Sequence, residues 1–171
     1  GQAEALYILG DLFEYWIGDD FLQTPQGQMV LPILQAFKQV AEQGTPIYIQ
    51  HGNRDFLLAE QFAELSACQL LSEQQIIDLY GTPTLLMHGD LLCTDDVDYQ
   101  QARLLFRNPQ WQQQILAKTI PERIQFAQSL RMQSQQSAQT KQEDILDANQ
   151  TAIEAALRAA KVNQLIHGHT H

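Results

Sequence analysis

An α/β fold is what this 171-residue sequence predicts, and three observations carry the prediction. Four short apolar runs, Leu6-Tyr7-Ile8-Leu9, Pro46-Ile47-Tyr48-Ile49, Thr84-Leu85-Leu86-Met87 and Gln164-Leu165-Ile166, each lead into a glycine beside Asp, Asn or His. Runs of this length, bounded by glycine, read as strands buried on both faces. Apolar residues at helical spacing fill the stretches between them. A hydrophobic content of 44% is ample for a core, and the length fits one domain or a domain carrying a sizeable insertion.

Taken in order, the first run ends in Gly10-Asp11. Met29, Ile33, Leu34, Phe37, Val40 and Ala41 then form one amphipathic stripe over residues 26–43, closed by Gly44 as a stop signal. The second run leads to His51-Gly52-Asn53-Arg54-Asp55. Phe62, Leu65 and Leu70 mark a further helix and its exit. Ile76-Ile77 and Leu79 suggest a strand that turns at Gly81-Thr82-Pro83 into the third run, which ends in His88-Gly89-Asp90. Residues 99–142 are rich in Gln and read as two or three short helices, with Pro109 and Pro121 near helix starts. Residues 144–161 read as a second long helix, leading into the last run and His167-Gly168-His169-Thr170-His171.

The residue types at the run ends point to metal chemistry. All five histidines lie there. Imidazoles two residues apart on an extended segment face the same way, because side chains alternate along a strand. Open α/β sheets bind ligands beyond the carboxyl ends of their strands, so four such loops can converge. Carboxylate, amide oxygen and imidazole together suit Mn²⁺, Fe²⁺ or Zn²⁺, and the absence of cysteine beside them argues against a thiolate zinc site. A carboxylate such as Asp11 can bridge two cations, and a pair roughly 3.5–4 Å apart is the usual device for in-line displacement at phosphorus. A lone Gly-Asp after a strand is usually a turn, and a lone His88 could be a satisfied buried histidine. The four run ends together outweigh those readings.

Composition narrows the partners. The net charge of −10 argues against a general nucleic-acid binder. The charge is uneven: residues 99–142 carry six cations, Arg103, Arg107, Lys118, Arg123, Arg131 and Lys141, against Glu122 alone. Such asymmetry suggests a segment with its own partner. Its helices read either as an ordinary amphipathic pair with solvated cations, or as a cap whose apolar face receives acyl chains while its cations face phosphates or an anionic membrane. No run approaches the roughly 18 apolar residues of a membrane span. Cys68 and Cys93 are isolated, which fits buried thiols in a reducing cytoplasm.

Gly10-Asp11, Gly52-Asn53-Arg54-Asp55, His88-Gly89-Asp90 and Gly168-His169-Thr170-His171 resemble the signature of the calcineurin-like metallophosphoesterases. Leu9 to Glu14, Trp16 to Asp20, His51 to Leu58, Met87 to Asp90 and Leu92 to Asp96 are similar in wording to one family within it, the UDP-2,3-diacylglucosamine diphosphatases of lipid A synthesis in Gram-negative bacteria. Arg54, where most of the superfamily has His, is typical of that family.

The resemblance implies a metallophosphoesterase-type β-sandwich flanked by helices, with 1–98 and 143–171 as the core and 99–142 as a helical lipid and substrate cap. It implies two divalent cations, expected to be Mn²⁺. The first would take Asp11 and His171 with two ligands from an upstream Asp-x-His; the second would take Asp11, Asn53, His88 and His169. Asp11, Asn53, Arg54 and His88 are then the catalytic set. Asn53, Arg54, Asp96, Tyr99, Arg131, Ser134, Lys141 and His169 would contact substrate, while Ala138 departs from the polar residue usual at its position. Asp55 and Asp90 are expected to support ligands without binding metal themselves, and His167 to orient a neighbour or pack. The implied reaction is hydrolysis of UDP-2,3-diacylglucosamine to UMP and the acylated glucosamine 1-phosphate, at the anionic cytoplasmic face of the inner membrane, with no nucleic acid and no obligate protein partner. No Asp-x-His lies upstream of Asp11 and the family continues beyond His171, so the chain is expected to be a fragment. The residues leave open a metallophosphoesterase for a soluble phosphodiester, or a non-catalytic metal-binding domain.

Overall fold

The computed structural model describes residues 3–141 and 143–170. It is a mixed α/β structure with two three-stranded sheets, and the chain divides into two compact units, Gly1–Ser72 and Glu73–His171.

The first unit holds a parallel sheet in the order β1 (Leu6–Ile8), β2 (Ile47–Ile49), β3 (Cys68–Leu70), with α1 (Pro25–Gln28), α2 (Leu31–Glu42) and α3 (Glu60–Ser66) in the connections. Ile47 and Ile49 of β2 are fully buried, and the intervening Tyr48 stacks on Tyr7, ring centroids 4.9 Å apart. Full burial on both faces, as expected from the run, does not hold even at the centre of this sheet, where one face of β2 is fully buried and the Tyr48 face is half-buried. Nor does it hold for β1, whose Leu6 is 40% exposed, because an edge strand has a neighbour on one side only.

The single helix expected over 26–43 is in fact two. Thr24 caps α1 by accepting from the Gly27 amide at 3.0 Å, and a Cβ on Gly27 would collide with the Phe21 backbone. Pro32 then sits in the first turn of α2, where a missing N–H costs nothing. The restart leaves Met29, one of the expected core positions, 78% exposed. Asp19 caps α3 from a distance: it accepts from the Ala59 amide at 3.2 Å, the Phe62 amide at 2.9 Å and the Trp16 indole at 2.8 Å. That ties the buried Trp16 and Phe62 rings, 5.6 Å apart, to the helix start.

In the second unit β4 (Gln74–Leu79) and β5 (Thr82–Met87) form an antiparallel hairpin, and β6 (Gln164–His167) adds parallel to β5. Tyr80 and Gly81 both take positive φ, 51° and 86°, as a tight two-residue hairpin turn requires. Leu85, Met87, Leu92 and Val162 form the core here, covered by Ala152, Ile153, Ala156 and Leu157. Edge strand β6 leaves Ile166 43% exposed.

The expected helix over 144–161 is also divided, into α7 (Glu143–Leu146) and α8 (Gln150–Ala160). Asn149 causes the break: its side chain caps α8 while its own amide donates to the Leu92 carbonyl at 2.9 Å. The basic segment forms α4 (Val97–Phe106), α5 (Pro109–Leu116) and α6 (Ile120–Thr140), with Pro109 and Pro121 in first turns as expected. α6, at 21 residues, is longer than the short helices anticipated. No helix among the described residues is long and apolar enough to cross a membrane.

Cys68 and Cys93 are both buried free thiols. Burial, reinforced by Asp90 and Asp147, pushes the Cys93 thiol up to about 11. Only roughly one molecule in 10⁴ then carries the reactive thiolate at pH 7. Alkylation of native Cys93, followed by mass spectrometry, is expected to stay slow until the pH approaches 11 and to become fast at pH 8 on unfolding. Rapid labelling of the native protein at pH 7 would contradict this burial.

Candidate functional site

Each unit carries half of the motif residues. In the first, β1 and β2 run parallel, so the Gly10-Asp11 turn and the Gly52–Asp55 loop emerge at the same end of the sheet. Fully buried Asp55 locks them together by accepting from the amides of Gly52 at 2.8 Å, Leu12 at 2.8 Å and Asp11 at 3.1 Å. Burial raises the Asp55 carboxyl above its usual range, with the Gly52 amide opposing and the Asp11 charge adding to the rise. A Cβ on Gly52 would strike the Asp11 backbone and carboxylate, so this closeness requires glycine. Asp11 itself has φ 55°, a left-handed conformation that is uncommon for a residue with a side chain. Its Oδ1 accepts from the Arg54 amide at 2.9 Å. The Arg54 guanidinium spans two carboxylates, Asp11 at 3.7 Å and Glu14 at 3.3 Å. Asn53 lies in the same loop, half-buried. His51 turns away into local structure, its Nε2 2.7 Å from the Leu58 carbonyl.

In the second unit, parallel β5 and β6 bring His88 and His167-Gly168-His169 to one edge, and the Gly168 amide donates to the His88 carbonyl at 2.8 Å. Gly89 has φ 116°, and a Cβ there would collide with the Gly168 carbonyl and His167 Nδ1. His88, only 2% exposed, and His169 bring their rings to 5.0 Å at 66°. His169 has φ 70°. The described residues of each unit thus hold one candidate ligand in the left-handed region, a placement that tends to mark functional positions. His167 Nδ1 lies 2.8 Å from the Gly168 carbonyl, within the turn itself. His171 lies outside the described residues.

Around this pair, Asp90 receives the Tyr99 hydroxyl at 2.7 Å and Arg103 Nε at 2.9 Å. Burial pushes the Asp90 carboxyl up, but Arg103 and Tyr99 outweigh it and hold the group below the usual carboxylate range. Burial and Asp90 together push the Tyr99 phenol far up. The Tyr99 ring lies 5.7 Å from that of His169. Asp96 caps α4 through the Tyr99 amide at 3.1 Å and pairs with Lys141 Nζ at 2.5 Å. Arg131 and Ser134 are exposed on α6.

The structure therefore joins Asp11 to Arg54, His88 to His169, Tyr99 to His169 and Asp96 to Lys141. Sequence reasoning gave no role to Gln100, Glu14 and Glu73, and a different one to Arg103. Arg103 and Arg123, read as solvated or phosphate-facing cations, are buried. Arg103 serves Asp90 and Glu73, so it is not presented to a surface. The available signal was its place four residues after Tyr99, on the same helical face.

Two imidazoles converging on one point, with carboxylates and a carboxamide among the remaining motif residues, fit a divalent cation of the Mn²⁺, Fe²⁺ or Zn²⁺ type. No family model matches the chain. Among curated proteins, a UDP-2,3-diacylglucosamine hydrolase of Nitrosococcus oceani is 54% identical over 169 residues, 99% of this chain and 66% of the relative. The protein of the same name from Serratia proteamaculans is 49% identical over 170 residues, 99% of this chain and 69% of its own length. That of Haemophilus influenzae is 44% identical over 170 residues, 99% of this chain and 70% of its own. The chain spans about two thirds of the length of the curated relatives it matches. With 49–54% identity over 99% of its length, the chain belongs to the UDP-2,3-diacylglucosamine hydrolase family.

Proposed function

We propose that this protein hydrolyses the pyrophosphate of UDP-2,3-diacylglucosamine, releasing UMP and the diacylated glucosamine 1-phosphate, with divalent cations held at the strand ends. The observation that carries the reading is the convergence of His88 and His169 beyond the parallel strands β5 and β6. Asp11, Asn53, His88 and His169 are proposed to hold one cation, and Asp11 and His171 to serve a second. When bound, such cations, which we take to be Mn²⁺, polarise phosphoryl oxygens and acidify water. For the whole protein we infer a metallophosphoesterase-type fold, with 1–98 and 143–171 as core and 99–142 as cap.

The chain's own residues supply the rest. Arg54 has a planar fork that can take two phosphoryl oxygens, and it stays charged throughout. Asp55 holds the Asp11 and Gly52 backbones still, so that the Asp11 carboxylate does not wander. Asp96, Tyr99, Arg131, Ser134 and Lys141 are proposed to receive the sugar and its phosphate. Leu104, Leu105, Leu116 and Met132 are exposed on α4 to α6, which suits acyl chains or the surface of the inner membrane on its cytoplasmic side.

The test is UMP release from UDP-2,3-diacylglucosamine by the purified protein, with bis-p-nitrophenyl phosphate in parallel, before and after removal of metal by EDTA. UMP release that EDTA abolishes and Mn²⁺ restores is the expected result. Cleavage of the generic ester alone would overturn the substrate, and activity indifferent to EDTA would overturn the metal site.

A further inference from the structure

Asp90 follows His88 by one glycine and is 1% exposed. Its charge is met by groups of α4 and its C-cap, with His88 adding to them. Arg103, 6% exposed, places Nε at 2.9 Å, Arg107 reaches within 3.9 Å, and the Tyr99 hydroxyl donates at 2.7 Å. The other side of the Arg103 guanidinium pairs with Glu73 at the foot of β4. Gln100 Nε2 adds bonds to the carbonyls of Asp90 at 2.8 Å and Cys93 at 2.9 Å. One helix face, residues 99, 100, 103 and 107, is thereby bolted to the turn that follows His88.

A buried ion pair is a weak way to stabilise a fold, since apolar residues of similar volume do as well or better. What it supplies is direction. The bond from Tyr99 to Asp90 fixes the tilt of the phenol ring, and that ring lies 5.7 Å from His169 at 32°, with His169 in turn 5.0 Å from His88. We propose that Arg103 is a positioning residue: through Asp90 and Tyr99 it sets the orientation of the His169 imidazole, and so the geometry of the His88–His169 pair. Arg103 and Asp90 act here without touching substrate or cation. Arginine is required because its fork serves Asp90 and Glu73 at once, which a lysine ammonium cannot do with the same geometry.

The proposal rests on reading His88 and His169 as ligands, and its test separates the two. Tyr99→Phe keeps the ring and removes the directed bond; Arg103→Lys keeps the charge and removes the fork. Three quantities are read: the His169 imidazole ¹⁵N resonances in metal-free protein, Mn²⁺ affinity by EPR, and kcat against KM. Both variants, folded by circular dichroism, are expected to shift the His169 resonances while leaving those of His51 in place. They should weaken Mn²⁺ binding by roughly 10-fold, the lower end for loss of a group supporting a metal ligand, and lower kcat more than they raise KM. If Arg103→Lys does not fold, Tyr99→Phe decides alone. A folded Tyr99→Phe with unchanged His169 resonances and unchanged Mn²⁺ affinity overturns the proposal. His88→Ala runs beside it. Should that variant bind Mn²⁺ normally, the ligand reading fails, and the metal-free resonances still decide whether Tyr99 orients His169.

Discussion

Replacement of His88 by alanine is expected to abolish Mn²⁺-dependent release of UMP while leaving a folded protein. His88 is almost fully buried immediately after β5, and its ring is one of the two that converge at the strand ends. Alanine removes the donor atom outright. The loss should exceed the roughly 100-fold that removal of a ligand's supporting hydrogen bond can cost. The backbone around it is held independently, through the Gly168 amide on the His88 carbonyl and the β5–β6 register, and neither depends on the imidazole. Circular dichroism should therefore be unchanged, while Mn²⁺ binding by EPR and turnover fall together. Turnover near the wild-type level would refute the metal-ligand assignment of His88, whatever the fate of the other residues.

Replacement of Asp55 by alanine should unfold or severely loosen the first unit, with a loss of about 3–5 kcal/mol. Three backbone amides, of Asp11, Leu12 and Gly52, donate to this one carboxylate. Each buried donor left unmet costs about 1–3 kcal/mol, and the penalty is partly offset because the carboxylate itself is expensive to bury. A domain has only about 5–15 kcal/mol in hand. Asp55→Asn retains an acceptor oxygen and should lose less than half as much. Urea unfolding followed by tryptophan fluorescence would read both, since the buried Trp16 belongs to this unit. Equal midpoints for wild type and Asp55→Ala would show that the three bonds do not hold the loops together.

The strand-end motifs were legible in the sequence because their code is local. An apolar run of three to six residues followed by a glycine and a ligand-type residue describes one strand and one turn, with no long-range information needed. The helix starts near Pro109 and Pro121 were legible for the same reason; the turn expected at Gly81-Thr82-Pro83 falls instead at Tyr80-Gly81, with Thr82 and Pro83 already in β5. The helix breaks were not legible. Residues 26–43 and 144–161 have helical periodicity throughout, yet the first is divided at Met29-Val30 and the second where the Asn149 amide is taken by Leu92. The Asn149 contact is long-range, so local propensity gives no sign of it.

By itself the sequence determined the α/β class, the strand ends that carry Asp11, Asn53, His88 and His169, and the membership of the chain in its family, because motif spacing and composition are properties of the chain alone. Only the tertiary structure decided which charges face inward. Arg103 meets an aspartate 13 residues away and a glutamate 30 residues away. Asp55 meets amides of Asp11 and Leu12, 44 and 43 residues away. A charged residue reads as solvated until its partner is known, since desolvation is tolerated only when the opposite charge or a set of donors is delivered to the same place. That delivery is the work of the fold.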